Sequence, residues 1–188
     1  MSEQLLNDLN KFKSAYYTDN KKNAVFNKSS QKYDLAEKVC SEYGFDALIQ
    51  RTIYILPNTN KVFMDYLVLK LIANPSNYEQ ITDYAFSIFT HLVHTYGSFE
   101  FHANMDTFTI TAAERYKHLV KLFCRDPKDG ELEYTKYLTN IYIYNTPSAI
   151  DSMIQMVSHM FEAKILSIVV RYSKKESPQL LHQLFGKN

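Results

Sequence analysis

Tryptophan is missing from this 188-residue chain, and cysteine, glycine and proline are scarce at 2, 4 and 5. The two cysteines, Cys40 and Cys124, lie far apart and carry no partner spacing, which argues against a disulfide framework or a zinc site. Few glycines and prolines beside 46% hydrophobic residues fit an ordered globular chain and exclude a low-complexity one. Neither sign of charge dominates: 21 Lys+Arg against 20 Asp+Glu leave a net charge of +1. No global basic field exists to hold nucleic acid, so no nucleic-acid partner is expected. The lysines gather in the first 40 residues, which read as a solvated leader with weak helices. No apolar run approaches the roughly 18 residues of a membrane span. The opening MSEQLLNDLN is polar and unlike a signal peptide. A cytoplasmic protein is the expectation, with at most transient contact at membrane surfaces. Glycine-rich phosphate loops and a GxSxG elbow are also lacking.

What is present is aromatic: 15 Tyr and 12 Phe. Residues 1–17 place Leu5, Leu6, Leu9, Phe12 and Tyr16 at helical spacing, with Ser2 as cap. A second helix runs over 32–43 and ends at Gly44. RTIYIL (51–56) and VFMDYLVLKLI (62–72) read as two strands of a hairpin around NTNK. Residues 76–96 are helical, with Ile81, Ala85, Ile88, Leu92 and Val93 on one face and Gly97 closing. SFEFHANMD then alternates: Phe99, Phe101, Ala103 and Met105 point one way, and Glu100, His102, Asn104 and Asp106 the other. A helix over 111–125, a strand over 139–144, a helix over 148–161 and an apolar strand over 165–172 follow. SPQLLHQLF makes a last helix, with Ser177 as cap and Pro178 in its first turn. Strands alternating with helices predict an α/β class with a mainly parallel sheet and crossover helices. Residues 1–50 are assigned to an N-terminal helical extension and 51–188 to the α/β domain.

Candidate chemistry is sparse. His91 and His94 share a helix face, but no third ligand accompanies them, so no metal is expected. The row Glu100, His102, Asn104, Asp106 could assemble acid–base machinery. Without a nucleophile beside it, a sheet face meeting solvent, loops or the N-terminal helices is the simpler reading. Cys124 at a helix end lacks the dipole that activates a thiol. One stripe stands out: Ile150, Met153, Ile154, Met156, Val157, Met160 and Phe161. Such a stripe is usually core, yet methionine also lines adaptable binding surfaces.

The stretch YLTNIYIYNTPSAIDSMIQMVSHMFEAKILSIVVRYSKKESPQLLHQLF resembles the second half of the CRAL-TRIO lipid-binding domain. The matching features are a strand ending in Asn-x-Pro (Ile141, Tyr142, Ile143, Asn145, Pro147), an apolar helix (Met153 to Phe161) and a second apolar strand (Ile165 to Val170). A polar turn and a short helix (Leu180 to Phe185) complete them. FEFHANMDTFTITAAERY resembles an earlier strand of that family that ends in an Asp, here Asp106. The resemblance spans about residues 51–186. It implies a non-catalytic protein that binds or transfers a hydrophobic small molecule or phospholipid between the sheet and a gate helix, Ser148 to Phe161, without a cofactor. The implied ligand-binding residues are Phe99, Phe101, Ile141, Ile143, Ile150, Met153, Ile154, Met156, Val157, Met160 and Phe161. The N-terminal helices are fewer than the family's, and the chain stops soon after the short helix. The resemblance therefore implies a shallow pocket or one completed by a second subunit. The alternative is a lipid-free protein-interaction module that forms a homo-oligomer.

Overall fold

The alternating stretches fold as strands of one mixed sheet in the computed structural model. It describes residues 3–21, 28–127, 130–148, 150–158 and 163–186, with the side chains at 3, 152, 153, 156 and 157 outside the description. Three helices lead: α1 Glu3–Asp19, α2 Lys28–Tyr43 and α3 Phe45–Thr52. The hairpin strands are β1 Ile53–Ile55 and β2 Lys61–Asp65. Then come α4 Tyr66–Ile72, α5 Tyr78–Tyr96, β3 Phe99–Asn104, α6 Ile110–Phe123, β4 Leu138–Tyr144, α7 Ile150–Val157, α8 Ala163–Ser167, β5 Val169–Arg171 and α9 Ser177–Leu184. The chain is thus α/β.

Strand order is β1-β2-β3-β4-β5; β1 is antiparallel to β2, and β2 to β5 run parallel. Each parallel crossover steps one strand in the same direction. Right-handed connections then place the crossover helices on one side of the sheet. Packing agrees: Phe89 of α5 stacks on Phe99 at 4.7 Å, and Asp151 of α7 pairs with Arg171 of β5. The register sets Val62, Phe101, Ile141 and Val169 level with one another on this side. On the reverse side Phe63, His102, Tyr142 and Val170 are level. There α9 returns across the sheet. Its Ser177 hydroxyl accepts from the Asn145 amide at 2.6 Å, and Phe185, just past its end, meets Phe63 at 4.9 Å. The middle of the polar row, His102 and Asn104, is buried on this side, while Glu100 and Asp106 at its ends keep 24% and 37% of their side chains exposed.

The core runs without a break from Leu9 and Tyr16 of α1, through Leu35 and Val39, to Val62, Ile81, Leu92 and Phe99. The N-terminal helices reach it by packing on α4. Gly97 takes φ 75° and closes α5, a left-handed position that a side chain resists.

Three expectations need correction. The strand expected over 62–72 stops at Asp65, whose carboxylate accepts from the Leu67 amide and caps α4. Tyr66, Val68, Leu69, Leu71 and Ile72 are all buried, so the helix is apolar nearly all round and shows no period. The apolar run 165–172 likewise divides: Ile165 belongs to α8, and the strand is only Val169–Arg171. Ser177 is the first residue of α9 rather than its cap; its hydroxyl donates to the Ser173 carbonyl. The expected Ser2 cap lies outside the described residues.

Candidate functional site

The helix-covered side of the sheet has two parts. Around β1 to β3 it is mostly closed: Ile53, Val62, Phe99 and Ala103 are buried, and Ile55, Met64 and Phe101 are half-buried. Around β4 and β5 it is more open: Ile141, Ile143 and Val169 are all only half-buried. Ile150 and Ile154 of α7, the helix above them, are also half-buried. Phe101, Ile141, Ile143 and Val169 share this side by register, and Asp151 ties α7 to Arg171 on it; with Ile150 and Ile154 of that helix they make up an apolar strip along the β4–β5 half.

The strip gathers Phe101, Ile141, Ile143, Ile150 and Ile154 from the expected ligand-binding set. Phe99 departs from it, locked in the core against Phe89. Met153, Met156 and Val157 lie on α7 with side chains outside the description, and Met160 and Phe161 lie outside the described residues. Val169 was missed because the apolar run 165–172 hid which residues form the strand. Entry to the helix above the strip is set by Asn145, which leaves β4 at φ 53°. Its side-chain amide donates to Asn104 Oδ1 at 2.9 Å, and asparagine tolerates that left-handed turn better than most residues. Arg171 holds Asp151, tying β5 to α7 by one ion pair.

The reverse side is aromatic and polar. His102 is 3% exposed and uses both ring nitrogens: Nε2 lies 3.2 Å from Glu100 Oε2, and Nδ1 lies 3.0 Å from the Tyr144 hydroxyl. An ionised carboxylate only accepts, so Nε2 carries the proton and Nδ1 accepts from Tyr144. Burial pushes the imidazole below its ordinary pKa, and the Glu100 charge pulls back upward. Tyr142 stacks on His102 at 4.7 Å, and Tyr172 lies parallel to Tyr142 at 6.2 Å. This network ties β3 to β4, and it presents no free nitrogen to a substrate. The alternation at Phe99–Met105 identified the face; the tyrosine partners from β4 and beyond were not visible in it.

Asn104 and Asp106 do not join that group. Asn104 reaches Asp65 at 3.3 Å, and the Asp106 amide donates to Asn104 Oδ1 at 3.2 Å. Burial pushes the Asp65 carboxyl upward against the Leu67 amide that stabilises its charge. His91 and His94 are exposed on α5, and among the described residues no three His, Cys, Asp or Glu side chains gather as metal ligands. Burial pushes both thiols, Cys40 and Cys124, up to about 11. Cys40 borders an open hollow of ≈ 330 Å³ with Glu37, Phe45, Asn74 and Asn77, away from the strip. Among the described residues no helix is long and apolar enough to cross a membrane. Compared with known proteins, no family model matches the chain, and no curated protein matches it either.

Proposed function

We propose that this protein binds or transfers a hydrophobic ligand, without catalysis, between the β4–β5 half of its sheet and α7. The observation that carries the reading is the half-open apolar strip of Phe101, Ile141, Ile143, Val169, Ile150 and Ile154. It lies on the side of the sheet where the CRAL-TRIO resemblance puts a ligand. A chain of about 16 carbons offers on the order of 12 kcal/mol gross at ~0.8 kcal/mol per buried CH₂. Retention needs apolar walls and few polar groups. On this reading the protein is cytoplasmic and meets membranes transiently to load or release its ligand.

The test is uptake. Native mass spectrometry and solvent extraction of the purified chain should recover a bound lipid, or the chain should take up a fluorescent fatty acid at one per chain. Ile143→Asn should reduce that uptake at least tenfold, while a change at exposed His94 leaves it intact. A clean chain that takes up no fatty acid and extracts no vesicle lipid overturns the reading.

A second reading is a lipid-free interaction module. It rests on β5, whose outer edge pairs with no other described strand while Val169 and Val170 stay half-buried. A second copy covering that edge would make the chain dimeric at micromolar concentration in sedimentation. A monomer there removes it.

A further inference from the structure

The carboxyl end of the parallel strands, away from the apolar strip, carries an electrostatic imbalance. Lys13 of α1 and Lys70 of α4 are both half-buried, on helices that pack together. Lys70 Nζ donates to Thr107 Oγ1 at 2.7 Å, a neutral partner. Among the described residues no carboxylate lies within ion-pair distance of either ammonium; the ion pair of this edge, Lys174 with Asp106, is made by other groups. The nearest acids are engaged elsewhere. Asp65 accepts from the Leu67 amide at 2.9 Å and from Asn104, and Asp106 takes Lys174 at 3.2 Å. Burial first, and then the Lys13 charge, make Lys70 a weaker base, with Asp106 and Asp65 opposing.

Two half-buried like charges without a direct counter-charge are unfavourable, and a bound anion relieves them. Thr107 is exposed in the turn closed by the Phe108 amide on the Met105 carbonyl at 3.0 Å. Its hydroxyl accepts from Lys70 and keeps its own hydrogen to donate. We propose that Lys13, Lys70 and the Thr107 hydroxyl form a binding site for a phosphate-class oxyanion. A tetrahedral oxyanion has enough acceptors for two ammonium groups and a hydroxyl. The site does not depend on the strip being filled. Its anion can be a free phosphate or the phosphate of a lipid headgroup.

The test uses the full chain and two probes. Thermal unfolding is followed with inorganic phosphate against chloride at matched ionic strength. Flotation is measured with phosphatidic acid vesicles against phosphatidylcholine vesicles. The variants are Lys70→Met, Lys13→Met and, as control, Lys61→Met, whose ammonium pairs with Glu100 at the opposite end of the strands. A free-anion site predicts a phosphate-dependent rise in Tm for wild type and Lys61→Met, with apparent affinity reduced at least about tenfold in Lys70→Met. A headgroup site predicts flotation with phosphatidic acid alone, lost in Lys70→Met and kept in Lys61→Met. Lys13→Met carries the same comparison if Lys70→Met fails to fold. Absence of both responses, or equal responses in Lys61→Met and the two site variants, overturns the proposal.

Discussion

Val62 and Val169 stand level on the same side of one sheet, yet Val62 is 0% exposed and Val169 is half open. Two differences accompany this contrast: β5 is an edge strand while β2 is flanked on both sides, and the helices above them differ in length. The 19 residues of α5 span roughly 28 Å at 1.5 Å per residue, longer than any strand beneath. The 8 residues of α7 span roughly 12 Å, about half of the roughly 23 Å covered by the 7 residues of β4. One half of the sheet is closed by long helices rich in rings, and the other is roofed by short ones. The open half is where a ligand or a second chain gains most by binding.

The sharpest way to break this comparison is to truncate one residue in each half. Leu92 is fully buried on α5, so Leu92→Ala should cost about 2–5 kcal/mol in urea unfolding. Ile143 is half-buried, so Ile143→Ala should cost about 1 kcal/mol, because less surface leaves contact and water already reaches the site. Equal losses would mean that the β4–β5 half is packed like the rest.

A smaller effect is expected at the seam where β4 turns into α7. Asn145→Ala puts an alanine at φ 53° and removes the hydrogen bond to Asn104 Oδ1. Together these should cost about 1–2 kcal/mol in urea unfolding. Asn145→Gly should recover the backbone part alone, which separates the turn from the hydrogen bond. If both variants unfold like wild type, the seam does not hold α7 in place.

Acid probes the same half from behind. Burial lowers the His102 pKa in the folded chain, so the unfolded chain takes up its proton first as pH falls below about 6.5. Stability from this group is present above that pH and is lost on acidification. The group ties β3 to β4, so amide protection, taken relative to the intrinsic rate at each pH, should fall more in β4 and β5 than in β1 and β2 between pH 7.5 and 5.5. His102→Phe should remove the difference. The raised Asp65 carboxyl acts in the opposite sense, gaining on acidification, and is common to both chains. Equal loss of protection in wild type and His102→Phe would assign the acid response to another group.

How much of this was legible follows from where the sequence has a period. The hairpin, the alternation from Phe99 to Met105, the β4 strand and the face of α5 could be read because apolar and polar residues take turns. The runs Asp65–Ile72 and Ile165–Arg171 lack that turn-taking, so a buried helix and a strand look alike there. Asp65 was the one available clue, an N-cap at the point where the strand stops. Phe101, Ile141 and Ile143 share a side of the sheet through register. Their half-burial goes with the helix lengths above them, which no local pattern contains. Lys13 and Lys70 come together only because α1 folds onto α4, so their spacing in sequence carries no signal.

The smallest expected effect tests whether the roof of the open half is fastened. Arg171 and Asp151 form an ion pair between β5 and α7, with side chains 42% and 85% exposed. Exposed pairs contribute little to global stability because solvent screens them, typically 0–1 kcal/mol. Arg171→Gln should therefore leave the urea midpoint within a few tenths of a molar of wild type. Its local effect should be larger than its global one. The pair is the charged tie from this sheet edge to α7, a helix of 8 residues that also packs on α6. Exchange of α7 amides should quicken in Arg171→Gln while those of α5 stay unchanged, and high salt should reproduce the effect in wild type. A uniform change across both helices would mean that the two halves of the sheet open together, and the contrast between Val62 and Val169 would then be one of surface area alone.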